Sequence, residues 1–273
     1  MKTKKIIKIK DIYNFLDSVA PFKYSCDWDN SGFLTGNINE EFKSGLICLD
    51  ITDEIIDEAI KKNCNLIISH HPVIFDKLNK ITKDMIVYKL IKNNINTISL
   101  HTNLDLSKTG VNFVLAQTLN LLNINNIGAL DKSSEKNIVL LKDKVFESFV
   151  LVGNLEKSRS PVDFAKFVKD KLFCKKLSFI SGSKKIKTVA ICAGSGSSFF
   201  DNIKNKNIDA YVTSEIKYNI WLEAKRVGLT LIDAGHFNTE NLICKHLTNI
   251  LNKHFDLDKF ETAEKNIDII EVI

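Results

Sequence analysis

The sequence predicts an α/β protein built as two lobes with mixed, largely parallel sheets. Three observations carry this expectation. Short apolar, β-branched runs alternate with helical stripes through the first half; the pattern loosens between about residues 123 and 185; and the alternation then returns. Gly45–Leu49 reads as a buried strand. Asp50 and Thr52 are candidate caps for a helix in which Ile55, Ile56, Ala59 and Ile60 recur at helical spacing. Leu66–Ser69 is a second strand ending at His70. A helix over about 84–92 places Ile86, Leu90 and Ile91 on one face, and Ile95–Leu100 is a strand running into His101. After Gly110, Val111, Val114, Leu115, Leu119 and Leu122 form one stripe.

In the looser middle, Val139–Leu141 and Phe149–Val152 are candidate strands. Pro161 to Phe173 reads as a helix with proline in its first turn. Regular alternation resumes with a strand at Thr188–Cys192, a small-residue loop at Ala193–Ser198 and a strand at Ala210–Thr213. A helix over about 219–227, a strand at Leu229–Ala234 and a closing helix with Leu242, Ile243, Leu247, Ile250, Leu251 and Phe255 complete the order. Lobe one is expected over about 1–128 plus 234–273, and lobe two over about 129–233. The C-terminal segment must return to the first lobe if His236 is to meet His70.

Composition limits the function. With 44% hydrophobic and 26% charged residues, the 273-residue chain is ordinary for a globular protein. Its formal charge of +5 comes almost wholly from lysine, since Arg159 and Arg226 are the only arginines. Bidentate recognition of phosphate or guanine leans on arginine, and no basic stripe with interleaved aromatics is present, so a nucleic-acid partner is not expected. The six cysteines are scattered singly without a C-x-x-C pair, which argues against a zinc ribbon or thioredoxin-like site. No apolar run has the length of a membrane span, and the basic N-terminus lacks the apolar stretch of a signal peptide. A cytoplasmic protein with reduced thiols is expected.

Four of the six histidines fall in three short motifs: His70-His71-Pro72, His101-x-x-x-Asp105 and His236-x-x-x-Glu240. Each follows a strand-like run, and parallel strands bring their carboxyl ends to one edge of a sheet. Metal ions are expected at those ends, between the lobes. On extended backbone His70 and His71 point to opposite sides and so suit two neighbouring ions better than one. Two polar residues at a strand end would account for the triplet equally well. Thr102-Asn103 suggests a loop between His101 and Asp105. Glu240 is expected in the first turn of a helix capped by Asn238 or Thr239, where helix-dipole complement alone can explain a carboxylate. His246 and His254 have no carboxylate partner on the last helix and read as surface or packing residues. The recurrence of histidine and carboxylate at three strand ends carries the metal reading. Imidazole and carboxylate donors without thiolate suit Zn, Mn, Fe, Co or Ni, and a carboxylate such as Glu240 can bridge two ions. Gly194–Ser198 is either an anion cradle, with Ser195 as a substrate contact, or a tight turn. Glu215 follows a strand and is a candidate general base or substrate contact.

Taken together, Trp28-Asp-Asn-Ser-Gly32 with Gly36, Leu49-Asp-Ile-Thr52, the HHP motif continuing as Pro72-Val-Ile-Phe75, His101-Thr-Asn-Leu-Asp105 with Gly110-Val-Asn112, Ala193-Gly-Ser-Gly-Ser197, Asp209–Glu215 and Ile232–Glu240 are specific in combination. They resemble the NGG-interacting-factor-like dinuclear metal proteins, whose bacterial members are often labelled GTP cyclohydrolase 1 type 2 homologues. The resemblance covers essentially the whole chain. It implies two divalent metal ions per subunit, one held by His70, Asp105 and Glu240 and the other by His71, His236 and Glu240, with His101 a ligand or close neighbour. It also implies a toroidal homohexamer. This chain departs from the pattern at Ser214, where many relatives have glycine, and at Tyr218-Asn219, where many have histidine, so no substrate role carries over to those positions. The expected function is a metal-dependent hydrolase acting on carbon–nitrogen bonds of a nucleotide or pterin-like small molecule. The alternative is a non-catalytic metal-binding or protein-interaction module.

Overall fold

The computed structural model describes residues 6–127 and 148–271; the strand expected at Val139–Leu141 lies outside them. The described residues fall into two compact units, one within Met1–Leu104 and Ile243–Ile267, the other within Asp105–Leu242 and Asp268–Ile273.

The first unit contains α1 (Ile9–Val19), β1 (Gly32–Thr35), β2 (Gly45–Cys48), α2 (Asp53–Lys61), β3 (Leu66–Ser69), α3 (Ile86–Lys92) and β4 (Asn96–Ser99). Most of α10 (Leu242–Phe255) and all of β11 (Phe260–Thr262) complete it. Its sheet runs β1-β4-β3-β2-β11, with β1 antiparallel to β4 and the other neighbours parallel. Every residue of β2, β3 and β4 is buried, as expected for central parallel strands covered on both faces. On one face Leu46, Cys48 and Ile67 pack with Ile55, Ile56 and Ala59 of α2 and Leu90 of α3. The Thr52 hydroxyl accepts from Ile55 N–H and caps α2. The pairing aligns Cys48 with Ser69 and Ser69 with Ser99, so three parallel strands end in register.

In the second unit α5 (Val111–Thr118), β5 (Leu122–Asn126), β6 (Leu151–Arg159), α6 (Pro161–Lys171), β7 (Ser178–Ile180) and β8 (Ile186–Ile191) precede α7 (Phe200–Ile203), β9 (Ala210–Thr213), α8 (Tyr218–Val227), β10 (Thr230–Asp233) and α9 (His236–Glu240). The sheet order is β5-β6-β8-β9-β10-β7. Only β8, β9 and β10 are parallel to one another; β5, β6 and β7 join antiparallel, so this sheet is more mixed than the alternation implies. Strand alternation divides the side chains. Ala210 and Val212 pack with Leu115 of α5 and Phe164 and Val168 of α6, while Tyr211 packs with Phe200, Ile203 and Ala224. The stripe after Gly110 ends at Leu119: Leu122 belongs to β5 and is half exposed.

No helix among the described residues is long and apolar enough to cross a membrane.

Candidate metal centre

In the first unit, Asp50, His71 and His101 each lie two residues past the last paired residue of β2, β3 and β4, with His70 just ahead of His71. One ring nitrogen from each of His70, His71 and His101 lies within 4.8 Å of the other two. The opposed orientation expected of His70 and His71 does not arise, because β3 has ended at Ser69. Their ring centroids are 4.9 Å apart. The Ser69 hydroxyl donates to the His71 carbonyl at 2.7 Å and sits 2.8 Å from the Ser99 hydroxyl, fixing the bend.

Each of these imidazoles is oriented through Nδ1. His70 Nδ1 donates to the Leu100 carbonyl at 2.7 Å, His71 Nδ1 to the Asp50 carboxylate at 2.7 Å, and His101 Nδ1 to the Asp29 carboxylate at 2.9 Å. Asp29 is the most heavily bonded of these partners. It also accepts from Thr102 N–H (3.0 Å), the Thr102 hydroxyl (2.6 Å), the Ser31 hydroxyl (2.8 Å) and Asn30 N–H (2.7 Å). Burial alone would raise its pKa, but the hydrogen bonds from His101, Thr102 and Ser31 outweigh it and hold the carboxyl well below the ordinary range.

The second unit builds its own donor group. Gly235, at φ +85°, turns the chain from β10 directly into α9. The helix therefore begins at His236 rather than after a cap at Asn238 or Thr239, and His236 and Glu240 stand one turn apart on one face. His236 is flanked by carboxylates, with Nδ1 2.6 Å from Glu215 Oε1 and Nε2 2.9 Å from Glu240 Oε2. Glu215 holds φ +54°, a left-handed conformation unusual for a glutamate. The His236 hydrogen bond chiefly lowers its pKa, assisted by one from Ser195. The two residues expected to face a substrate thus contact each other, and Glu215 serves His236.

Gly194, at φ +62°, lies so close to Glu240 that a Cβ there would collide with Oε1 and come within 3.2 Å of His236 Nε2. The loop around it is a tight turn. Gly194 N–H donates to the Thr239 hydroxyl, and Gly196 N–H donates to the Gly194 carbonyl and the Thr213 hydroxyl, so two of the amides an anion cradle would use are engaged internally. Asp105 lies within the short helix α4 (Thr102–Leu106), correcting the expected loop. Burial drives the Cys192 thiol far above its usual pKa, and the Asp105 and Glu240 carboxylates raise it further. His254 stacks on Phe15 at 3.8 Å between centroids, a packing role as expected.

Three roles at the site are not among the expectations: Asp29 and Asp50 orient imidazoles, and Gly194 leaves space for the Glu240 carboxylate. Of the two candidate caps, Thr52 caps α2 and Asp50 instead accepts from His71. Strand register, which only the fold supplies, marks Asp50: an acid two residues past the end of β2, beside a histidine two residues past the end of β3.

The family profile described as Duf34/NIF3 (NGG1p interacting factor 3) matches residues 7–270. The chain belongs to the DUF34/NIF3 family. Its curated relatives include a Clostridium acetobutylicum protein, 33% identical over 96% of this chain and 97% of the relative, and a Campylobacter jejuni protein, 35% identical over 95% and 98%. Both are called GTP cyclohydrolase 1 type 2 homolog. Among solved structures the family fold recurs in a hypothetical protein of Staphylococcus aureus, at TM-score 0.85 and 31% identity over 98% of this chain and 100% of that one. It recurs again in reduced HcgD from Methanocaldococcus jannaschii, at TM-score 0.74 and 26% identity over 94% and 98%.

Proposed function

We propose that this chain is a dinuclear divalent-metal protein and a metal-dependent hydrolase acting on carbon–nitrogen bonds of a nucleotide or pterin-like molecule. The observation that supports it most is the treatment of four imidazoles. His70, His71, His101 and His236 each direct Nδ1 to an oxygen acceptor, which fixes the neutral ring as the Nδ1–H tautomer and presents Nε2 as a ligand. The donors fit a metal on chemical grounds as well. With Nδ1 protonated, His236 Nε2 and Glu240 Oε2 are two acceptors 2.9 Å apart, and only a shared proton or cation makes that approach favourable.

In this reading His70, Asp105 and Glu240 hold one ion, His71, His236 and Glu240 hold the other, and His101 stands beside them or joins as a ligand. Bound ions of this type polarise a substrate and bring a coordinated water toward neutral pKa. The residues' own work is positional. Asp50, Asp29 and Glu215 keep the imidazoles turned, and Gly194 leaves room for the Glu240 carboxylate. The relatives' name supports a cyclohydrolase-like reaction, hydrolytic opening of the guanine imidazole ring of GTP with loss of its C8 as formate. A toroidal homohexamer in the cytoplasm belongs to the same proposal; the six cysteines, standing as thiols, accord with a reducing compartment.

The test is formate release from GTP by the metal-loaded protein, with His71→Ala/Glu240→Ala as control. Release by the parent and a fall of at least about 100-fold in the control are expected. Equal release from both would overturn the mechanism.

A further inference from the structure

Trp28 and Phe75 stand beside the histidine cluster of the first unit with 61% and 52% of their surface exposed. Their rings lie 6.0 Å apart between centroids at 43°, and each meets His101 edge to face, at 5.8 Å and 6.2 Å. Large apolar side chains left in water are commonplace when they are scattered and mobile. These two are adjacent and held. Trp28 precedes Asp29, which five hydrogen bonds pin in place. Phe75 follows Ile74, whose carbonyl accepts from the Asn30 side chain at 2.6 Å, and Val73, half-buried, packs against the core of the first unit. One short network therefore fixes both aromatic backbones and the His101 ring together.

We infer that Trp28 and Phe75 form a stacking platform for the flat ring of a heteroaromatic substrate of purine or pterin size, presented to the His70–His71–His101 cluster. The proposal rests on the metal-hydrolase reading and deepens it by naming the residues that choose the substrate class. Two side chains offer far less area than a stable protein interface requires, whereas an indole and a phenyl ring suffice to stack a base. Their edge contacts with His101 place the platform at the imidazoles, where a ring is useful only if it is the reacting part. The backbone anchoring means that little ordering cost remains to be met on binding.

The test uses the full-length metal-loaded protein carrying Trp221→Phe, so that Trp28 is the sole tryptophan, titrated with GTP and neopterin and with ribose 5-phosphate and inorganic triphosphate as ring-free controls. Saturable quenching by a heteroaromatic probe and none by the controls is expected. In an otherwise unchanged background, Trp28→Ala and Phe75→Ala should each weaken binding of that probe, measured calorimetrically, about tenfold or more. Metal content by elemental analysis should remain that of the parent. Equal binding of ring-free compounds, no binding of either heterocycle, or unchanged affinity in both alanine variants would overturn the platform even where two metals are bound. Altered oligomeric mass in the variants with unchanged probe affinity would instead assign the two rings to a contact between copies. Absence of metal from the parent protein would count against the hydrolase reading, separately from the stacking result.

Discussion

At the scale of single residues, Glu215 separates function from folding and Gly194 couples them. Glu215 occupies left-handed backbone, a conformation that costs a non-glycine residue about 1 kcal/mol or more, and half of its side chain faces solvent while it bonds His236. A residue kept there for stability would be glycine. Glu215→Gly should therefore leave the melting temperature of the metal-free protein close to that of the parent, while metal affinity falls about 10–100-fold. Calorimetric metal titration alongside thermal unfolding reads both. Gly194→Ala should do the reverse of a neutral change: its Cβ meets Glu240 and its φ is positive, so metal affinity and stability fall together, the latter by about 1–3 kcal/mol.

At the scale of elements, Glu58 on α2 ties the chain beyond β11 to the first unit. Its buried carboxylate accepts the N–H groups of Glu264 and Lys265 at 3.0 Å each and pairs with Lys62 at 3.0 Å. Burial would raise its pKa, but these bonds outweigh it and hold it below the ordinary glutamate range. A lowered folded-state value means the stabilisation is fully present above the unfolded value and is lost as pH falls through the folded one. Glu58→Gln should thus cost about 2 kcal/mol at pH 7, with the gap from the parent narrowing toward pH 3 in urea unfolding. The elements were legible where strands were buried on both faces: Leu66–Ser69 and Ala210–Thr213 have the bounds the apolar runs suggested. They were not legible at the sheet edges. β5 is Leu-Asn-Ile-Asn-Asn with no buried residue, and β11 spans three residues, so neighbouring strands rather than composition define them. The start of α9 was misjudged because Gly235 adopts a positive φ, which replaces the side-chain cap the sequence suggested.

At the scale of the whole molecule, the four histidines could be found from sequence because strand ends announce themselves. Their partners Asp29 and Asp50 could not, because the pairing of Cys48 with Ser69 and of Gly32 with Ser99 sets which acid meets which ring. The proposed metals and hexamer have consequences for the intact protein. Chelation should lower the melting temperature by about 5 °C or more, since ions bound only by the folded state stabilise it by mass action. Light scattering should give six times the 30.9 kDa chain mass if the hexamer proposal holds. The most direct measurement is the number of divalent ions per chain, by elemental analysis of protein purified without chelator and then saturated with a single metal. Two ions per chain in the parent, and no more than one in His71→Ala and in Glu240→Ala, is the predicted result. One ion or none in the parent, or two in both variants, would contradict the dinuclear centre.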